Sequence, residues 1–107
     1  MATFPDDAVA DRIARVLVEE ALVACVNLLP PVRSIYRWKG AVETAPEVLV
    51  MMKTRSSNVD VVAARLKALH PYEVPELIAL PVVAGLPAYL QWVMGETLQG
   101  NMREPTP

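Results

Sequence analysis

The sequence holds one cysteine, one histidine and four glycines in 107 residues. A lone cysteine closes no disulfide within the chain, so a reducing compartment, the cytoplasm, is expected. One histidine, one cysteine and scattered carboxylates also build no closed four-ligand zinc or copper site at recognisable spacing. A basic excess is missing: the formal charge is −2 and the pI about 5.3, which excludes the positive face that nucleic acid requires. No long apolar run is present. The longest uncharged stretch, Leu77 to Gly95, is broken by Pro81, Gly85, Pro87 and Gln91, so no membrane span is expected. Met1 to Asp7 shows neither a basic nor an apolar leader-like segment, and no targeting signal is expected. The catalytic and cofactor signatures CxxC, HExxH, GxSxG, the P-loop and GxGxxG are all lacking, and with them the motif-based grounds for an enzyme.

What is present is apolar side chain. Hydrophobic residues make up 53%, which excludes intrinsic disorder. A single domain of this length has much surface for its volume. So large an apolar share must be covered by something, and self-association is the first inference.

Asp6 reads as an N-cap, followed by Val9, Ile13, Val16, Leu17 and Ala21 at helical spacing, which predicts a helix over 6–23. Ala24–Leu29 and Val32–Trp38 read as strands separated by Pro30-Pro31, a pair that marks a bulge, bend or edge. Lys39-Gly40 is a turn, and the run from Val42, interrupted at Pro46 and resuming over Glu47–Thr54, makes an antiparallel hairpin with the strand before it. Val48 to Met52 is apolar at every position. A strand with one wet face alternates, so this one is expected to be covered on both faces, the second by a neighbouring subunit.

Ser56, Ser57 and Asn58 offer caps for a second helix striped by Val59, Val62, Ala63, Leu66 and Leu69, which stops before Pro71. His70–Glu76 is a proline-stiffened connector, Leu77–Val83 a further strand, and Pro87 opens a third helix. Gly100–Pro107 reads as a flexible tail. With a shortened first strand at Met1–Phe4 the order becomes βαββαβ plus a terminal helix. That is an α+β, ferredoxin-like split βαβ domain over 1–107: an antiparallel sheet with helices on one face.

The chemistry-bearing residues are few, and each has a plain structural reading beside the functional one. His70, before a proline, is more often structural than a ligand or proton carrier. Cys25, between Ala24 and Val26, reads as a small buried hydrophobe. Glu73 and Glu76 are acid/base or cation-binding candidates, or solvated loop charges. Lys53 sits either at a cleft mouth or where its strand meets water. Tyr36 and Trp38 share a strand face with Ser34, as packing aromatics do.

Several blocks together carry a resemblance: Thr3-Phe4-Pro5-Asp6, Ala24–Pro30, Ser34–Gly40, Glu47–Arg55, His70–Glu76 and Leu90–Val93. In unbroken order from Thr3 to Leu98, they resemble the CutA family of divalent-cation tolerance proteins. The resemblance implies a ferredoxin-like homotrimer, similar in architecture to PII signalling proteins, with no established reaction. It further implies a link to tolerance of metals, copper above all, and lateral clefts between subunits. The cleft candidates are then Trp38, Lys53, Tyr72 and Glu73, beside His70. The metal candidates are His70 and, after it, Cys25, for weakly bound copper or another divalent cation.

Members read as copper binders carry a cysteine before the T-x-P-D block and a second histidine before Pro-Tyr, where this chain has Ala2 and Leu69. Pro30-Pro31 replaces the family's usual Pro-Gly, and only two residues precede Thr3, so the expectation is either a native start upstream of Met1 or a gap beside the short first strand filled by water or a neighbouring segment. The expected function is non-enzymatic metal or small-ligand binding. The alternative is a PII-like nucleotide sensor, or an enzyme of the inter-subunit cleft, with Lys53 on an anion and His70 or Glu73 moving a proton.

Overall fold

A computed structural model describes residues 1–98; the expected tail over Gly100–Pro107 lies outside the described residues. The elements are β1 (Ala2–Phe4), α1 (Asp7–Glu19), β2 (Cys25–Leu28), β3 (Val32–Trp38), β4 (Ala41–Lys53), a single 3₁₀ turn (Ser56–Asn58), α2 (Val59–Leu69) and α3 (Pro87–Gly95). Strand β4 is the spine of the sheet. Its second half lies between β1 and β2 and is antiparallel to both. Strands β1 and β2 are therefore parallel, joined by α1 across the strand between them, which is the split βαβ arrangement. The fold is α+β and ferredoxin-like, as expected.

Asp6 caps α1 with its side chain, accepting from the Val9 amide at 2.9 Å. The helix ends at Glu19, short of the expected residue 23. Ala21 takes a left-handed conformation at φ 57°. The Leu22 amide then donates back to the Leu17 carbonyl (3.0 Å), and the Ala21 amide to that of Val18 (2.9 Å). This is a Schellman ending with alanine where glycine is usual. It turns Leu22 into the core, where Ala2, Phe4, Ile13, Leu17, Val48, Val50, Val62 and Leu66 meet beneath α1 and α2.

The β3–β4 hairpin closes on Lys39-Gly40, both at positive φ (49° and 81°), which is the two-residue turn that suits the twist of the strands. Strand β4 runs unbroken through Pro46, and its partners change beside it: Glu47 pairs with Val32, and Val48 with Phe4. Between β2 and β3 the chain takes four steps from Leu28 to Val32 against three from Val50 to Glu47. The extra residue makes the Pro30-Pro31 segment a bulge.

Two expectations change. Asn58 makes no cap; its buried amide instead donates to the carbonyls of Leu22 (3.2 Å) and Leu98. Leu77–Val83 forms no strand. A bridge between Ala2 and Leu77, with Met1 and Ile78 exchanging backbone bonds, is all the pairing it makes among the described residues. The reason is the three-residue length of β1, which gives Ala79 onward nothing to pair with. Within the chain, Val48 and Val50 are buried but Met51, on the opposite face, is 43% exposed. Only one face of that run is covered by its own helices.

Candidate functional site: an acidic, aromatic cleft

Alternation along β3 puts Ser34, Tyr36 and Trp38 on one face of the hairpin. The register sets Glu43 directly opposite Tyr36 and Glu47 opposite Val32. The connector after α2 supplies the facing wall with Tyr72, Glu73 and Glu76, and Thr3 of β1 contributes at the base. These residues enclose a cleft of about 610 Å³, a size suited to a small molecule.

His70 holds the connector in place. The α2 helix ends as its backbone turns extended before Pro71. The ring is buried, stacks on Phe4 with centroids 4.8 Å apart, and lies 4.6 Å from the ring of Tyr72. Its Nδ1 accepts from the Tyr72 amide at 3.1 Å, which leaves Nε2 to carry the hydrogen toward the Thr3 carbonyl at 2.7 Å. With both nitrogens engaged, the ring as it stands offers no free lone pair to a metal. Tyr72 Oη donates to Glu47 Oε2 at 2.9 Å. Burial, reinforced by that bond, pushes the Tyr72 phenol up to about 12.

The structure brings Trp38, Tyr72 and Glu73 to one cleft, with His70 behind them. Lys53 is not among its lining residues. It pairs with Cys25 at the other end of β4, six residues from Glu47 and so about 20 Å along the strand. Cys25 is half-buried with its Sγ 3.7 Å from Tyr89 Oη, a bond that raises the Tyr89 phenol's pKa. It lies in β2, on the opposite side of β4 from β1 and the His70 ring stacked on it. Among the described residues no group of three or more histidine, cysteine or acidic side chains is placed to hold a metal. Within one chain the residues present do not fit a copper centre. Sequence reasoning missed Glu43 and Glu47. Their signal was the two-residue turn, from which the register counts back to Tyr36 and Val32.

A match to the family described as CutA1 divalent ion tolerance protein covers residues 1–96. The chain belongs to this family. It is 54% identical over 91 residues to the protein CutA homolog of Xenopus laevis, covering 85% of this chain and 60% of that protein. Against the mouse protein CutA the match spans 51% of the relative, so the chain covers about half to three-fifths of these vertebrate relatives. The solved structure of the divalent cation tolerance protein of Thermus thermophilus superposes with a TM-score of 0.87 at 47% identity, covering 90% of this chain and 93% of that one. The PII-like protein CutA of Nostoc sp. PCC 7120 gives 0.85 at 45% identity, over 92% and 94% of the two chains.

Proposed function

We propose that this protein acts in divalent-cation tolerance as a cytoplasmic, non-enzymatic homotrimer whose ligand site is the cleft under the hairpin. The observation that carries the assembly is the segment after β1's last bridge. Leu80, Val82, Val83 and Leu86 are 65%, 71%, 94% and 77% exposed, on backbone without a ladder partner among the described residues. Extended apolar chain of this kind is a template for another strand. A second copy supplies one, and also covers the open face at Met51 that the apolar run Val48–Met52 calls for.

Metal chemistry on this reading belongs to the assembly. A copper ion would draw its ligands from more than one copy, and His70 would join them only by giving up its bond to Thr3. The nucleotide-sensor alternative fits less well: Glu43, Glu47, Glu73 and Glu76 repel an anion, and Lys53 lies outside the cleft of its own chain.

Light scattering of the purified protein at micromolar concentration tests the assembly, with a trimer mass expected. A monomer mass overturns it. Leu80→Asp with Val82→Asp is expected to yield smaller species that keep the helical signal of the core.

A further inference from the structure

Glu47 is 9% exposed, yet its one partner among the described residues is the neutral hydroxyl of Tyr72, on Oε2. Oε1 has no partner there, and the side chain borders the cleft. That oxygen is not cut off from water, so a cation entering the cleft can reach a carboxylate that is otherwise mostly buried and met by one neutral donor. No lysine or arginine of the described residues pairs with Glu47, Glu43 or Glu76. Glu73 alone is met, by Lys39 at 3.9 Å.

The same Lys39 ammonium stands 5.6 Å from the centre of the Trp38 ring. An alkylammonium of the chain itself thus already rests between an aromatic face and a carboxylate at the mouth of the cleft. Deeper in, Glu47 offers the same chemistry without a cation, beside the rings of Tyr36 and Tyr72. The acidic groups do not converge as a metal site would need. Their spacing along an aromatic wall suits separate charges on one flexible stem.

We propose that the cleft binds a small aliphatic polyamine, with one ammonium on Glu47 and the stem along Tyr36 and Trp38. A second ammonium pairs with the outer carboxylates, Glu43 or Glu76. This rests on the reading of the cleft as the ligand site. Lys39 acts as a resident competitor at the mouth.

The probe is 1,5-diaminopentane, titrated by calorimetry into the full chain, with n-pentylamine and 1,5-pentanediol for comparison. The diamine is expected to bind, the monoamine more weakly, the diol not at all. Glu47→Gln keeps an acceptor for Tyr72 and is expected to weaken the diamine about tenfold or more. Glu43→Gln, on the exposed arm, cannot unfold the core and is expected to weaken it less. Lys39→Ala is expected to tighten it. No diamine binding by wild type, or equal binding by Glu47→Gln, overturns the inference. The oligomer mass is measured on the same samples. A trimer that ignores the diamine sinks this inference alone, and a monomer that binds it sinks only the assembly.

Discussion

The two halves of β4 are one strand with two surroundings. From Ala41 to Glu47 it pairs with β3 alone and projects as an arm, with Val42 69% exposed. From Val48 to Lys53 it lies between β1 and β2 under the helices, with Val48 and Val50 at 2% and 0%. Pro46, which has no amide hydrogen to donate, sits at the change of partners. The difference separates tasks. The inner half secures the fold by apolar burial, which leaves the side chains of the arm, Tyr36, Trp38 and Glu43, free of packing duty and available to a ligand.

The comparison breaks most sharply at Val50. Val50→Asp buries an unpaired carboxylate beneath α1 and is expected to cost about 4 kcal/mol or more, abolishing a cooperative melt. The same change at Val42 is expected to stay within about 0.5 kcal/mol. Circular-dichroism melts of the two variants decide it. A large loss from Val42→Asp would show that the arm is packed against another copy, sharpening the division into one between chains.

The covered half is also tied together by polar groups. Arg55 donates to the carbonyls of Met94 and Thr97 at the end of α3, and the Asn58 amide to those of Leu22 and Leu98. Asn58→Ala removes the donor to the Leu98 carbonyl and leaves a void where the buried amide sat, while Thr54 Oγ1 still donates to the Leu22 carbonyl at 2.6 Å. A loss of about 2–3 kcal/mol by urea unfolding is expected. A loss confined to protection of α3 amides in hydrogen exchange would instead mark this tie as local.

Tyr72 joins the two halves, since its hydroxyl reaches Glu47 where the arm begins. Tyr72→Phe deprives that carboxylate of its donor and is expected to cost about 1–2 kcal/mol. The pH dependence has a definite sign. The folded phenol ionises at about 12, above its ordinary value of 10.0, because burial and Glu47 disfavour the phenolate. Its stabilisation is therefore complete below pH 10 and lost as pH rises through about 12. Absorbance titration should show a late tyrosine ionisation near pH 12 that is lost in Tyr72→Phe, distinct from the raised Tyr89 phenol, which the variant keeps, and the variant should lose less stability across that window.

The elements legible in advance were those whose signals are local. Asp6 as a cap, Pro71 as a stop and Lys39-Gly40 as a turn act through their immediate neighbours, and each stands as read. Leu77–Val83 misled because its β pattern is real but its partner within the chain, β1, is three residues long. Pairing is a property of two segments, and a sequence displays one at a time. The site divided in the same way. Trp38, Tyr72 and Glu73 came from recognised blocks, whereas Glu43 and Glu47 needed the hairpin register counted out from its turn. Lys53 is carried by β4 to the other end of the sheet, so within one chain it stands apart from the other candidates of an inter-subunit cleft.

One substitution is expected to bring a small gain. Ala21 is held at φ 57° to close α1, a conformation that costs an L-residue about 1–2 kcal/mol. Glycine adopts it freely but gives up more backbone entropy on folding, roughly 0.5–1 kcal/mol. The residue's role is in its backbone: its amide donates to Val18 and its carbonyl accepts from Leu98 at 2.9 Å. Removing the methyl leaves both bonds intact. Ala21→Gly is therefore expected to stabilise the protein by about 0.5–1 kcal/mol in urea, without altering the cleft. At Gly40 (φ 81°) the logic reverses, and Gly40→Ala is expected to lose about as much, on the arm rather than in the covered half. A loss in Ala21→Gly equal to that in Gly40→Ala would mean that the alanine methyl packs against the chain's last described residues.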